Sequence, residues 1–206
     1  MLAKKIHRTT AFLLIAFILC HLSVHLTSLA GADAHLAALD SIQWIYRNPV
    51  GETILVAAIL TQIISGARRL RFSGIDGWAR VQVISGAYLI VFLVMHTTAA
   101  LYTHHIFGLE TDFYWSAGSL AYAPLKYGFA LYYFAAITAV FAHLAAALHF
   151  GWPRAPEVAL RALPIGGAVI AVGILSAMMG LFYPIEIGPD VAAYYETYFG
   201  VGGPSR

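Results

Sequence analysis

Five stretches of the chain are apolar over about the ~20 residues needed to cross a bilayer, and short polar segments separate them. The runs cover residues 6–30, 50–70, 79–104, 125–150 and 160–183. Their lengths predict five transmembrane helices in one bundle, an all-α integral membrane protein without a separate soluble domain. Prolines punctuate the pattern: Pro49, Pro124, Pro153, Pro156 and Pro184 lie at or beyond the run edges, where proline starts or stops helices. Pro164 falls in the first turn of the fifth run and is tolerated there. Small residues recur inside the runs, Gly66, Gly86, Gly128, Gly166 and Gly167 among them, as close helix packing in lipid requires. The last segment, 184–206, is too polar to span and is expected to lie along the outer surface as a tail.

The placement of charge gives the predicted bundle a direction. Lys4, Lys5, Arg8, Arg68, Arg69, Arg71, Arg80, Arg154 and Arg161 fall on the side of the N-terminus, and only Arg47, Lys126 and Arg206 of the 12 lysines and arginines fall on the other. Positive charge accumulates in cytoplasmic loops, so the expected topology is N-in, C-out. A bacterial cytoplasmic membrane is the expected location, with the mitochondrial inner membrane as the alternative. The first run is too long for a signal peptide and carries His21 and His25, which a discarded segment would not need.

Composition narrows the function classes. The chain is 60% hydrophobic and 11% charged, against about 25% charged in an average soluble domain. One cysteine, Cys20, excludes an internal disulfide and a cysteine-based metal or iron–sulfur site. Phosphate loops, nucleophile motifs, dinucleotide-binding glycine patterns and nucleic-acid-binding arrangements are all missing from the sequence, so it has no soluble catalytic apparatus of its own and nothing suited to nucleic acid.

Chemistry concentrates in the 9 histidines. His21, His25, His96 and His143 lie inside predicted spans, where an ionisable side chain is costly and points to function. His21 is about 15 residues into the first helix and His96 about 16 into the third, roughly 23 Å deep in each case. Those two helices run in the same direction, so the imidazoles share one level, and two imidazoles at one level are what axial ligation of haem iron requires. His143 sits about 10 Å from the cytoplasmic boundary on the fourth helix, and its counterpart on the second is Gln62. A single membrane histidine serves equally well as a hydrogen-bonding residue between helices. His25, His104 and His105 suit either an exposed metal site or interfacial solvation, and His7, His35 and His149 lie at edges or in loops.

Three segments carry a family resemblance. They are KKIHRTTAFLLIAFILCHLSVH in the first helix, ARVQVISGAYLIVFLVMH in the third, with Gln82, Gly86 and Phe92 before His96, and YYFAAITAVFAHLAAALHFGW in the fourth, with His143. In order and spacing they resemble the five-helix, di-haem cytochrome b membrane anchors of succinate dehydrogenases and quinol:fumarate reductases. The resemblance implies an outer haem b on His21 and His96 and an inner one with His143 as one ligand. At the fourth ligand position the chain has Gln62, a poor iron ligand beside imidazole. The expectation is therefore one haem b, with the inner one absent, loosely held or ligated by His143 alone. A second departure is Gln43, which stands where some relatives carry a proton-accepting glutamate, a role an amide cannot take.

The resemblance further implies a quinone or quinol as ligand and a protein partner docked on the cytoplasmic face. Gln43, Trp44 and Arg47 in the outer segment 31–49 are the quinone-site candidates. The function expected is that of an anchor and electron-transfer subunit, not catalytic alone. The alternative is a haem-poor or haem-free accessory subunit of a larger membrane complex, which the amides at 62 and 43 favour. A small transporter using histidine proton relays is a third reading, although the paired broken helices of transporters are missing.

Overall fold

The structure is a computed structural model describing residues 2–201, with side chains from residue 5 onward. The side chain of Lys4 and the tail residues 202–206, Arg206 included, lie outside the described part. Five helices are long and apolar enough to span a bilayer, so the protein is an integral membrane bundle: α1 (Leu2–Thr27), α3 (Pro49–Ala67), α4 (Gly77–Tyr102), α6 (Leu125–Gly151) and α7 (Glu157–Met178). Three shorter helices complete the fold, α2 (Ala32–Tyr46), α5 (Phe113–Gly118) and α8 (Pro189–Phe199). With five spans the chain ends lie on opposite sides. The side bearing α2, α5 and α8 is here the far side, and the side of the N-terminus is the near side.

Around the bundle α1 packs on α3, α3 on α4, α4 on α6 and α6 on α7, which returns to α1. Phe12, Leu131, Ile165 and Val169 are each about two-thirds exposed on the spans (68%, 69%, 66% and 67%). In water such an apolar surface would drive association; here it is the face that meets lipid. The tightest seam is α6 on α7, whose alanines and glycines let the backbones approach: Ala136, Ala139, Ala145, Ala171 and Ala177 are all buried. At α3, Asn48 caps the helix by accepting hydrogen bonds from the amides of Val50 and Gly51 (3.1 and 2.9 Å), and Pro49 sits at the first helical position.

The far end is more structured than the hydrophobic pattern implies. Residues 31–49 hold a helix, α2, where the sequence reads as a loop. Gly31, at φ +129, reverses the chain after a short 3-10 turn (Ser28–Ala30) and lays α2 back over α1 and α3. The aromatics of residues 108–124 form a packed core. Phe113 and Tyr122 are fully buried and Trp115 nearly so. Within the tail, residues 189–199 form a helix that packs on the segment around α5. This helix, α8, inserts Val191, Tyr194 and Tyr195 against Trp115 and Tyr122, and the Tyr195 hydroxyl donates to the Trp115 carbonyl at 2.8 Å. Asp112 caps α5 through the amides of Tyr114 and Trp115 (2.9 and 3.1 Å).

Candidate functional site

Two polar clusters interrupt the apolar interior, one at each level of the bundle. The far cluster forms because helical spacing stacks residues four apart on one face. Phe17, His21 and His25 line one face of α1, with the Phe17 and His21 rings stacked at 5.5 Å. Phe92 and His96 do the same on α4, stacked at 5.0 Å with an 11° tilt. The two helices lie across the bundle from one another, and His21 and His96 meet in the gap with ring centroids 6.2 Å apart.

His21 and His96 do not stand alone. His25 Nε2 lies 3.2 Å from His21 Nε2, and His35 Nε2 lies 3.2 Å from His25 Nδ1. An imidazole hydrogen-bonded series therefore runs from the bundle interior into α2. His35 is 2% exposed, stacks edgewise on Phe113, and has no hydrogen-bond partner on Nδ1 among the described residues. Burial lowers its pKa from the ordinary 6.5 to about 4, so the ring is neutral at pH 7. His35 gives no signal in the sequence; only the reversal at Gly31 brings it to the cluster.

The near cluster joins α1 to α3 and α4 to α6. The Gln62 carbonyl oxygen accepts from Thr10 Oγ1 at 2.7 Å, and its amide donates to His7 Nε2 at 3.1 Å. His7 Nδ1 in turn donates to Ser65 Oγ at 2.8 Å. The network leaves His7 no ring lone pair for a ligand, and both ends of the Gln62 amide are already engaged. His143 differs. Its Nδ1 lies 3.2 Å from the Gln82 carbonyl, which can only accept, so Nδ1 carries the proton and Nε2 the free lone pair. Ser85 Oγ is also 3.2 Å from Nδ1. Gly86 makes the approach possible, since a Cβ there would stand 3.0 Å from His143 Cε1. A backbone carbonyl holding the opposite ring nitrogen is the usual way a histidine is oriented toward a ligand.

The outer-segment candidates diverge. The Gln43 amide donates to Asp40 Oδ1 at 2.6 Å. Trp44 is 69% exposed, and its indole N–H donates to the Ser41 carbonyl at 2.9 Å. Arg47 pairs with Glu110 and donates to Thr111 Oγ1 at 2.6 Å, tying α2 to the segment after α4. His104 and His105 lie in a π-turn after α4, apart from His25, and His105 contacts Glu52 of α3. Among the described residues, groups of three or more His, Cys, Asp or Glu with metal-holding geometry are absent.

Compared with family profiles, with curated proteins and with solved structures, the chain matches none.

Proposed function

We propose that this protein is a haem b-binding membrane subunit that carries electrons between the quinone pool and a partner in a membrane complex. One observation carries the reading: His21 and His96 face each other across the bundle at 6.2 Å between ring centroids. With metal–imidazole bonds of about 2 Å, that separation is close to what two imidazoles sharing one iron need, so His21 and His96 would be the residues that hold a haem. When bound, haem supplies reversible one-electron chemistry. The chain's own residues bind, orient and shield. His21 would exchange its Nε2 contact with His25 for the iron, while Phe17 and Phe92 restrain the two imidazole planes. The packed cap of α5 and α8 limits water at the far end.

The near level does not fit a second haem in the same way. The His7 ring lone pair accepts from Gln62 and the Gln62 oxygen already accepts from Thr10, so of the imidazoles at this level only His143 offers a lone pair. One haem per chain follows, held in the outer half of the membrane if the charge bias sets N-in, C-out in a bacterial cytoplasmic membrane. The closed Gln62 network also favours the second reading, a haem-free accessory subunit whose near level is stable without any cofactor.

A pyridine haemochrome assay on protein purified from haem-replete cells separates the two. The expected result is a reduced b-type spectrum at about one haem per polypeptide, lost in His96→Ala and retained in Gln62→Ala. A folded, colourless wild-type preparation would refute the electron-transfer reading and leave the accessory subunit.

A further inference from the structure

At the near end α1 begins beside the end of α3, and the two helices together make one corner of positive charge. Polar bonds between them fix the register: His7 Nδ1 to Ser65 Oγ at 2.8 Å, and Thr10 Oγ1 to the Gln62 oxygen at 2.7 Å. That pairing sets Lys5 level with Ala67 and Arg8 level with Ile64. The amides of Arg68, Arg69 and Leu70 bond back to the carbonyls of Ile64, Gly66 and Ala67 (3.2, 2.8 and 3.2 Å), so both arginines stand on a fixed backbone. Arg71 follows, next to an exposed aromatic, Phe72.

These cations have no carboxylate partner. Lys5, Arg8, Arg68, Arg69 and Arg71 are all exposed, and none forms an ion pair among the described residues. The near side holds two carboxylates, and both lie elsewhere. Asp76 precedes α4, and Glu157 of α7 is taken by Arg161 Nε at 2.8 Å and Trp78 Nε1 at 3.2 Å.

Arg8 identifies the missing counter-ion. It lies three residues inside an apolar span that starts at Lys5, roughly 4.5 Å deep, and one turn before Phe12 on the same outward face. A guanidinium facing lipid there must reach up to the headgroup layer and find an anion at that depth. A soluble anion or an acidic protein meets the turn at Arg71, beyond the span; a lipid phosphate lies where Arg8 points, and arginine takes phosphate bidentately. The surface below is apolar. Leu60 and Ile64, both exposed, run along α3 to Arg68 at helical spacing, and Phe12 lies beneath Arg8. A choline or ethanolamine head would bring its own cation among five others, which a net-anionic head avoids.

We propose that the α1–α3 corner binds a net-anionic phospholipid, with its phosphate on Arg8 and Arg68 and its acyl chains along Phe12, Leu60 and Ile64. Lys5, Arg69 and Arg71 add attraction at longer range. The site owes nothing to the haem reading and holds for either orientation of the chain.

The test is native mass spectrometry of the full chain in a neutral detergent, titrated with phosphatidylglycerol and phosphatidylcholine of identical acyl chains. Wild type is expected to retain the glycerol lipid roughly tenfold or more over the choline lipid. Arg8→Gln and Arg68→Gln should each cut that preference about fivefold. Lys126→Gln removes the same charge from the far side and should leave it intact. Arg8→Lys keeps the charge without the bidentate fork, so it should fall in between and serves if Arg8→Gln does not fold. Glycerol phosphate and polyglutamate, added as competitors, should displace no lipid. Equal retention of the two lipids, or a preference unchanged in the Arg8 and Arg68 variants, overturns the proposal. Displacement by glycerol phosphate would overturn it in favour of a soluble anion, and displacement by polyglutamate in favour of an acidic protein.

Discussion

Adding one methyl group at Gly167 should open the tightest seam in the bundle. An alanine Cβ there would stand 2.6 Å from Phe141 Cδ2 and 2.8 Å from Phe141 Cβ and Cγ. Carbon atoms rest at about 3.5–4.0 Å, so α6 and α7 must separate by roughly 1 Å locally. Turning the phenyl ring does not relieve the contact, because Phe141 Cβ moves only with the α6 backbone. Overpacking of this kind costs about 1–3 kcal/mol. For a chain of this size, each kcal/mol lowers the melting temperature by about 2–4 °C, giving an expected drop of roughly 2–12 °C for Gly167→Ala. The adjacent Gly166 has nothing within 4 Å of a built Cβ, so Gly166→Ala should be neutral or slightly stabilising through helix propensity. Thermal unfolding of both variants in one detergent, followed by circular dichroism, makes the comparison. Equal melting temperatures would refute the argument that Gly167 sets the α6–α7 distance.

Two further outcomes follow from the far end. Burial holds the His35 pKa at about 4 in the folded protein, against an ordinary 6.5 in the unfolded chain. Between those values the unfolded state binds the extra proton, so stability is full above pH 6.5 and falls as the pH drops toward 4, by about 3 kcal/mol in total. His35→Gln should flatten that part of the acid-unfolding curve, and a variant as acid-sensitive as wild type would contradict the buried neutral ring. Removing the α5 cap with Asp112→Ala should cost about 1 kcal/mol. Hydrogen exchange should read this as faster exchange at the Tyr114 and Trp115 amides; unchanged exchange at both would remove the cap from the account.

Much of the membrane architecture was legible in the sequence because long apolar runs have few alternatives in lipid. The runs ending near 30, 70, 104, 150 and 183 became α1, α3, α4, α6 and α7, with boundaries shifted by a few residues as caps and turns took over. The common level of His21 and His96 was also readable, since helical rise converts residue counts directly into depth, whereas the 6.2 Å between their rings depends on helix rotation that residue counts do not give. The short helices were not. α2 mixes Asp33, His35 and Asp40 with leucines, α8 is dense in tyrosine, and neither has the length that marks a span. His35 is invisible to periodicity because its place depends on the backbone reversal at Gly31, and Gln62 reads as a lost ligand until Thr10 and His7 are seen occupying its amide.

The cap formed by α5 and α8 has a temporal consequence. Its inner half, around Trp115 and Tyr122, is synthesised well before its outer half, Val191 to Val201. Until residues 191–201 emerge, Trp115 and Tyr122 lack the side chains that bury them. The far-end core is therefore completed only after all five spans have been made, when α8 arrives to close it.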